Sequence, residues 1–396
     1  MPEIKIYNTL SGKIERFQSL SPKKVKMFVC GPTVQDYSHL GHAKTYVFYD
    51  VLARFLREMG YRVTFVMNIT DVDDKIFEAA KKSNTDALLY AEKYTRAFLE
   101  DISKLGVKTV TKFEPASHYI NEIIYQVSRL IEKGNAYTVD GYVYFDTSTF
   151  PHYGELSHQS LKELLLKPLD LFPNKKSPLD FALWRPSAPG EPHWPSPWGD
   201  GKPGWHIEDT AISITNFGPQ YDIHGGGYEL IYPHHEAEIA QAECFTGVRP
   251  FVKYWVHTGL LKLGEDKMSK SRGNVIYLKD AIREFGADTI RLYMLSEHYR
   301  KDSVYKEREI LNLKEEYEQL KEKLSKLPFP RSTTKRHSSL FKEFIQAMCN
   351  DFDTPSALRH LRSLIKNALE EKNKTLETLL KDIRTVSRML GVTFFE

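Results

Sequence analysis

The chain has 396 residues, of which 41% are hydrophobic and 27% are charged, with a formal net charge of +3 at pH 7. This composition excludes a disordered or collagen-like protein, and no apolar run is long enough for a transmembrane helix. A charge so close to neutral also excludes a uniformly basic surface, so any contact with nucleic acid must use a local patch. The three cysteines lie far apart in the chain, which argues against a disulfide framework and favours a reducing compartment. We therefore expect a cytoplasmic protein of two or three domains with no membrane association.

The N-terminal part of the chain predicts a β–α–β unit. Residues 25–31 form a β-rich apolar run, residues 44–59 place apolar side chains on one helical stripe, and residues 62–70 have the pattern of a second strand. A strand, a helix and a strand in such close succession indicate parallel pairing. In parallel sheets, ligands bind beyond the carboxyl ends of the strands, which is where residues 28–45 (FVCGPTVQDYSHLGHAKT) fall.

Four further regions follow in chain order. Residues 83–133 have a helical pattern, and residues 141–150 (GYVYFDTSTF) predict a short strand with turns. The stretch over residues 166–204 is rich in proline and tryptophan and predicts an irregular, packed insertion rather than a regular element. We expect a second half of the sheet from residue 205 to about residue 263. The charged helical pattern from Lys306 to the end predicts a helical bundle with a modest basic bias.

A pair of histidines lies where the first predicted strand meets the first helix. His39 and His42 flank Leu40 and Gly41, and Gly41 lets the backbone approach a ligand closely. The free N–H groups and the positive dipole end of a helix N-terminus suit a phosphate. Taken alone, this spacing favours two surface or helix-capping histidines over a phosphate site.

A second motif, KMSKS at residues 267–271, changes that interpretation. Taken alone, two lysines three apart among small hydroxyl residues are typical of an ordinary surface loop. HLGH and KMSKS in this order, however, resemble the two signature motifs of the class I aminoacyl-tRNA synthetases. In that family an amino-acid carboxylate attacks the α-phosphate of ATP, so catalysis is mostly positioning and positive charge. The resemblance implies that His39 and His42 contact the phosphates and that Lys267 and Lys270 close over the pyrophosphate.

Several residues in the middle of the chain are candidate metal ligands. Cys30 ends the first predicted strand, where a lone cysteine is usually an inert small hydrophobe. His234 and Glu238 are four residues apart at the start of a predicted helix, hence on one face, which is a common arrangement for two metal ligands. An HExxH protease is excluded because Ile239 stands where the second histidine is needed. The HGGG at 224–227 does not indicate an esterase, because no G-x-S-x-G occurs in the chain.

Within class I, stretches spread over nearly the whole chain resemble the cysteinyl-tRNA synthetases: FVCGPTV, HLGHA, NITDVDDK, GWHIE, DIHGGG, PHHEAEIAQ, KMSKSRGN and DFDTPSAL. The resemblance implies one Zn²⁺ ion in the amino-acid pocket, with ligands at Cys30, Asp209, His234 and Glu238, and a substrate thiol that joins the metal as a thiolate. Because a soft thiolate binds zinc far better than a serine hydroxyl does, such a pocket needs no editing site.

Position 209 departs from the family pattern, since most members have a cysteine there. A carboxylate oxygen is a legitimate zinc ligand, at about 2.0–2.2 Å, so the four-residue site remains plausible with Asp209. The alternative is that the site has lost zinc and that Asp209 only caps a helix or hydrogen-bonds nearby.

The resemblance implies further contacts with the substrates. Thr33 is expected beside the amino group of cysteine, and Trp205 and His224 are expected to line the cysteine pocket. Glu229 is expected to bind the adenosine or ribose, although a shorter aspartate is more typical at that position. Contacts with ATP are thus implied for Gly41, His42, Glu229 and Lys270.

The predicted fold class is α/β, with a Rossmann-like nucleotide-binding catalytic domain that contains an insertion and is followed by a C-terminal α-helical bundle. The predicted segments are the first half of the catalytic domain (1–120), the connective insertion (121–203), the second half (204–270), the KMSKS loop with a stem-contact region (271–305) and a tRNA-binding-like bundle (306–396). The stretch RTVSRMLGVTFFE resembles the last bundle helix, so we expect a short form without the family's C-terminal anticodon-binding module.

The resemblance implies ATP- and Mg²⁺-dependent activation of L-cysteine to cysteinyl-adenylate and transfer to tRNA(Cys), by a monomer with one Zn²⁺ ion. Two alternatives remain open. A cysteine ligase that transfers activated cysteine to a small amino-sugar, as in mycothiol-type biosynthesis, would also be short. The basic bundle and Asp209 favour the tRNA enzyme over it. An inactive RNA-binding paralogue is the other alternative, and the intact HLGH and KMSKS motifs argue against it.

Overall fold

The computed structural model describes residues 2–167, 172–264, 266–267 (backbone only), 275–328, 336–371 and 375–395. In these ranges the strands are β1 (Lys5–Asn8), β2 (Lys13–Arg16), β3 (Lys24–Val29), β4 (Arg62–Ile69), β5 (Lys112–Pro115), β6 (Ala136–Val139), β7 (Tyr142–Phe145), β8 (Phe181–Pro186), β9 (Gly201–Pro203), β10 (Tyr221–Gly227), β11 (Val252–Thr258), β12 (Leu261–Leu263), β13 (Asp266–Lys267) and β14 (Ser303–Val304). The helices are α1 (Leu40–Glu58), α2 (Asp74–Lys82), α3 (Ala87–Lys104), α4 (Ile120–Glu132), α5 (Leu161–Leu165), α6 (Trp205–Phe217), α7 (Glu236–Thr246), α8 (Leu278–Phe285), α9 (Ala287–Leu295), α10 (Glu307–Ser325), α11 (Ser339–Cys349), α12 (Thr354–Glu370) and α13 (Thr375–Leu390).

A five-stranded parallel sheet in the order β11-β10-β3-β4-β5 forms the catalytic core, which confirms the predicted α/β class. The predicted β–α–β unit is also confirmed, because α1 connects β3 to its parallel neighbour β4. Helix α1 begins at Leu40, earlier than the apolar stripe indicated, because the HLGH residues themselves form its first turn. The chain leaves β3 towards β4 on one side and later returns to β10 on the other. This change of direction creates a crevice at the carboxyl ends of β3 and β10.

Two predictions for the regions between the sheet halves are wrong. Residues 83–133 are not helical throughout, because KFEP forms β5 and pairs with β4 as the edge strand of the sheet. Residues 166–204 are not irregular throughout, because β8 and β9 extend the β6-β7 hairpin into a four-stranded antiparallel sheet. Pro186 and Pro203 are the last residues of β8 and β9, and a proline there disturbs the ladder least.

The region after the parallel sheet is a small sheet followed by helices. Strands β12 and β13 pair antiparallel, and β14 joins β12 in parallel. Helices α10 to α13 pack on one another through buried apolar side chains, which confirms the predicted helical bundle. None of the helices in the described ranges is long and apolar enough to cross a membrane. The domain boundaries given above stay predictions.

A buried ion pair joins the catalytic core to the bundle. Arg291 in α9 and Asp50 in α1 are fully buried, and Arg291 Nη2 donates to Asp50 Oδ2 at 2.6 Å. Arg291 also donates to the carbonyl oxygen of Leu390 at the end of α13, at 2.8 and 3.1 Å. Burial alone would raise the pKa of Asp50, but the guanidinium groups of Arg291 and Arg54 hold that pKa below its ordinary value of 3.8. The pair therefore fixes α13 against α1.

Replacing Arg291 with methionine is expected to lower the free energy of unfolding by about 3–5 kcal/mol, because Asp50 would be left buried without its main counter-charge. Chemical denaturation measures this loss.

Since the folded-state pKa of Asp50 lies below the unfolded one, its stabilising contribution is complete above about pH 4 and is lost as the pH falls further. In Arg291→Met this acid-dependent loss should shrink or disappear, because burial then raises the pKa of Asp50 and protonation relieves its unpaired charge. Arg283→Met, at an arginine that is 81% exposed, is the control and should leave stability nearly unchanged.

Candidate functional site

A buried cluster of four side chains fills the crevice at the carboxyl ends of β3 and β10. Cys30 follows β3, Asp209 lies in α6, His234 precedes α7, and Glu238 lies one turn later in α7. One ligand atom from each residue lies within 4.8 Å of those of the other three, and all four residues are buried. The structure thus brings together the four residues for which a metal site was predicted. The metal itself stays a prediction.

The distances within the cluster are close to those of a metal coordination shell. Asp209 Oδ2 lies 3.1 Å from Cys30 Sγ and 3.1 Å from His234 Nε2, and His234 Nε2 lies 3.2 Å from Glu238 Oε1. Metal–ligand bonds of about 2.0–2.3 Å place tetrahedral zinc ligands roughly 3.3–3.8 Å apart. These three distances are a few tenths of an ångström shorter than that, and the remaining pairs of ligand atoms lie within 4.8 Å of one another.

The electrostatics of the cluster also favour a cation. Burial raises the pKa of the Cys30 thiol, and the carboxylates of Asp209 and Glu238 raise it further. Burial, followed by the charge of Asp209, likewise raises the pKa of Glu238. Within the described part of the chain, neither carboxyl oxygen of Glu238 accepts a hydrogen bond, although His234 Nε2 lies 3.2 Å from Oε1 and His224 Nε2 lies 3.6 Å from Oε2. A buried carboxyl group without hydrogen bonds is costly, and a divalent ion would offset that cost. The donor set of one sulfur, one nitrogen and two oxygens thus fits a zinc ion.

Two more histidines approach the same sulfur atom. His235 Nε2 lies 3.1 Å and His224 Nε2 lies 3.4 Å from Cys30 Sγ, so these residues form an overlapping set of possible ligands with Cys30 and Glu238. His235 Nδ1 lies 2.8 Å from Nε2 of His257. The other ring nitrogen of His257, Nδ1, lies 2.7 Å from Thr9 Oγ1. Burial lowers the pKa of both His224 and His235, which favours the neutral imidazole. Sequence reasoning missed His235, although it adjoins a predicted ligand. For His257 the sequence offered no signal.

Two of the residues predicted to contact cysteine, Trp205 and His224, lie against this cluster. The ring of Trp205 stacks on His234 with centroids 4.1 Å apart, and 37% of Trp205 remains exposed, so it lies between the cluster and solvent. His224 lies against the cluster, with its Nε2 3.4 Å from Cys30 Sγ. Its Nδ1 lies 2.6 Å from the hydroxyl oxygen of Tyr221, which orients the ring. Thr33 is half-buried and forms a parallel bridge with Thr70 beyond β4.

The predicted phosphate-binding residues lie at the start of α1. The rings of His39 and His42 stack with centroids 3.9 Å apart, and the backbone N–H of His39 donates to His42 Nδ1 at 3.2 Å. A Cβ atom at Gly41 would lie 2.9 Å from the His39 ring, which explains the need for glycine between the two histidines.

The other predicted ATP contacts lie on separate elements. Glu229 is exposed in a 3₁₀ turn, and its carboxylate lies over Gly227, where a Cβ atom would be 2.3 Å from Oε2. The backbone of Lys267 pairs with Lys262 at the end of β13, but its side chain lies outside the described atoms. Lys270 lies outside the described residues.

Asn68 is a further residue of the site for which no role was predicted, although it begins the NITDVDDK stretch. Its Nδ2 donates to Asp209 Oδ1 at 2.6 Å, and its Oδ1 accepts from the backbone N–H of Gly31 at 2.6 Å. One amide side chain therefore contacts both Asp209 and the residue after Cys30. Sequence reasoning missed it because an asparagine near the end of a strand has many possible structural roles.

Comparison with known proteins identifies the family. Residues 16–315 match the family described as "tRNA synthetases class I (C) catalytic domain", and residues 343–395 match the DALR domain. The cysteine–tRNA ligase of Staphylothermus marinus is 46% identical over 98% of this chain and 86% of its own length. The cysteine–tRNA ligase of Thermoplasma acidophilum is 44% identical over 90% of this chain and 80% of its own length. The chain belongs to the cysteine–tRNA ligase family.

Solved structures of other class I enzymes share the fold. Mycobacterium tuberculosis methionyl-tRNA synthetase bound by methionyl-adenylate matches with a TM-score of 0.67 over 92% of this chain and 90% of that one. The sequences are only 16% identical, so this likeness concerns the fold alone. Together with the parallel sheet and the C-terminal helices, it places the chain in the class I synthetase architecture predicted from HLGH and KMSKS.

Adding zinc to chelator-treated protein is expected to raise its melting temperature by several degrees, because an ion that binds only the folded state stabilises it by about 2.7 kcal/mol at one hundred times the dissociation constant. Differential scanning calorimetry with and without chelator measures the shift. His234→Ala should greatly reduce it. His193→Ala, at an exposed histidine outside the cluster, is the control and should retain it. A wild-type protein indifferent to both zinc and chelator would contradict the metal assignment.

Proposed function

We propose that this chain activates L-cysteine with ATP to form cysteinyl-adenylate and then transfers the cysteinyl group to tRNA(Cys). The observation that supports this most directly is the convergence of Cys30, Asp209, His234 and Glu238 at the crevice of a class I fold. The extent of the similarity to cysteine–tRNA ligases supports the same reaction, since it includes both the catalytic region and the DALR region. The alternative acceptor, a small amino-sugar, has no comparable support.

We propose that Cys30, Asp209, His234 and Glu238 bind one Zn²⁺ ion. When bound, the ion would supply a Lewis acid that holds the substrate sulfur as a thiolate and so distinguishes cysteine from serine. Trp205 covers His234 at the rim and would limit the access of water to the pocket. The neutral imidazoles of His224 and His235 would lie beside the Cys30 sulfur and restrict the space left for the substrate side chain.

The chemistry at phosphorus depends on positioning. The carboxylate of cysteine is already a nucleophile, so the enzyme must align it with the α-phosphate and stabilise the negative charge that develops there. His39 and His42 stack at the N-terminus of α1, where the positive end of the helix dipole favours a phosphate. We propose that the two imidazoles contact the phosphates, that Gly41 lets ATP approach the backbone, and that Lys267 and Lys270 supply positive charge, with Mg²⁺ accompanying ATP.

The C-terminal helices support tRNA as the acceptor. The DALR match over residues 343–395 spans most of α11 and all of α12 and α13, and the buried pair of Asp50 and Arg291 anchors this bundle to α1. A bundle fixed to the helix that begins with HLGH would hold a bound tRNA at a constant distance from the adenylate. We propose that the bundle provides this tRNA contact.

Cysteine-dependent ATP–pyrophosphate exchange tests the first step, and aminoacylation tests the second. We expect exchange with cysteine and little with serine, followed by transfer to tRNA(Cys). Glucosaminyl-inositol offered in place of tRNA should accept no cysteine. Exchange followed by transfer only to the amino-sugar would overturn the assignment of the acceptor. The absence of exchange in zinc-loaded protein would overturn the activity itself.

His42→Ala is expected to lower the exchange rate by about 10²–10³-fold, because it removes a positioned group from the charge that develops on the phosphate. The melting temperature should change little, since His42 is only half-buried. Lys270→Ala should behave in the same way. His152→Ala, at an exposed histidine far along the chain, is the control and should leave exchange unchanged. An equal loss of folding and activity in His42→Ala would indicate a structural histidine.

A further inference from the structure

We propose that Asn68 is a positioning residue that restricts Asp209 to one metal-binding oxygen and so keeps a coordination position open for the sulfur of the substrate. The inference rests on the proposed zinc-dependent activation of cysteine and adds to it a residue that acts through Asp209.

The orientation of the Asn68 amide is determined by its two partners. Asn68 is the second-last residue of β4, and only 1% of it is exposed. Its Oδ1 lies 2.6 Å from the backbone nitrogen of Gly31, which can only donate a hydrogen bond. The NH₂ group must therefore face the other way, where it donates to Asp209 Oδ1 at 2.6 Å and to Thr70 Oγ1 at 3.3 Å.

The two oxygens of Asp209 consequently have different surroundings. Oδ1 accepts the hydrogen bond from Asn68. Oδ2 lies 3.1 Å from Cys30 Sγ and 3.1 Å from His234 Nε2, inside the ligand cluster. Asp209 is 1% exposed and so has no freedom to turn its Oδ1 towards water. Oδ2 is therefore the oxygen that faces the ligand cluster.

This restriction matters because a carboxylate has two donor atoms and a thiolate has one. A cysteine at position 209 could occupy one coordination position only, whereas an aspartate can bind an ion through both oxygens. A second bond from Asp209 would occupy the position that the substrate thiolate needs, since catalytic zinc sites work through an open position. Asn68 prevents this by holding Oδ1 in a short, charge-assisted hydrogen bond.

The argument predicts that the effect of Asn68 depends on the residue at position 209. In the zinc enzyme, Asn68→Ala should raise the KM for cysteine about tenfold or more while zinc stays stoichiometric and the KM for ATP changes less than twofold. In an Asp209→Cys background, the same substitution should change the KM for cysteine less than twofold. Steady-state pyrophosphate exchange and elemental analysis of the four proteins measure this.

Cobalt provides a readout that does not depend on activity. Protein loaded with Co²⁺ should show the intense visible bands of a four-coordinate site, which weaken when cysteine binds as a fifth ligand. Asn68→Ala should already show the weaker bands before cysteine is added. Asn216→Ala is the control, because this amide lies on the same helix as Asp209 but donates to the Tyr119 hydroxyl and the Ile212 carbonyl instead. It should leave the spectrum and the KM values unchanged.

Three results would overturn the proposal. The first is an equal rise in the KM for cysteine in both backgrounds, which would indicate a merely structural role. The second is an unchanged Asn68→Ala enzyme, and the third is loss of the metal from Asn68→Ala. If that variant does not fold, Asn68→Ser, which is too short to reach both partners, takes its place. A wild-type protein that binds Co²⁺ but shows no exchange would overturn the proposed function alone, because the cobalt spectra would still test Asn68.

Discussion

Cys30, Asp209 and Glu238 are three acidic groups buried within one ligand cluster, and burial raises the pKa of Cys30 and Glu238. A folded protein cannot place such groups together without either protonating them or neutralising their charge with a cation. The residues around the cluster suit neutralisation by a cation. Neutral histidines face the sulfur, an asparagine fixes the carboxylate, and an indole ring covers the rim. The candidate site is therefore organised around a buried cluster of acidic groups that a cation would stabilise.

The topology of the sheet explains how residues so distant in sequence meet. Strands β3 and β10 are parallel neighbours, and Phe28 lies opposite His224 in their register. Cys30 therefore emerges beside the HGGG segment, where Gly225 leaves room for the Tyr49 ring, 2.3 Å from the position of a Cβ atom. The same end of β3 continues through residues 30–39 to α1. The proposed thiolate-binding and phosphate-binding groups therefore lie at the two ends of this connection.

The sequence predicted the parts of the fold that depend on local patterns and motifs. The strand before Cys30, the helix after HLGH and the C-terminal bundle have clear periodicity or strong resemblance, and all of them are confirmed. Strand β5 was missed because KFEP has no pattern of its own and exists only as a partner of β4. Strands β8 and β9 were missed because their prolines mark strand ends that only the neighbouring strands define. In the site, Asn68 and His257 act through tertiary contacts that no local pattern indicates.

An aspartate rather than a second cysteine at position 209 would change the balance between holding a metal ion and selecting the substrate. With Cys30 as the only protein thiolate among the four ligands, the site is harder, and the Zn²⁺ ion would receive less electron density from the protein. An ion that receives less electron density is a stronger Lewis acid towards an incoming thiolate, so discrimination against serine need not suffer. The protein would instead need to retain the ion with weaker ligands. The hydrogen bonds around Asp209 and the buried histidines beside Cys30 would meet that need, because groups that orient the ligands raise metal affinity without changing the donor atoms.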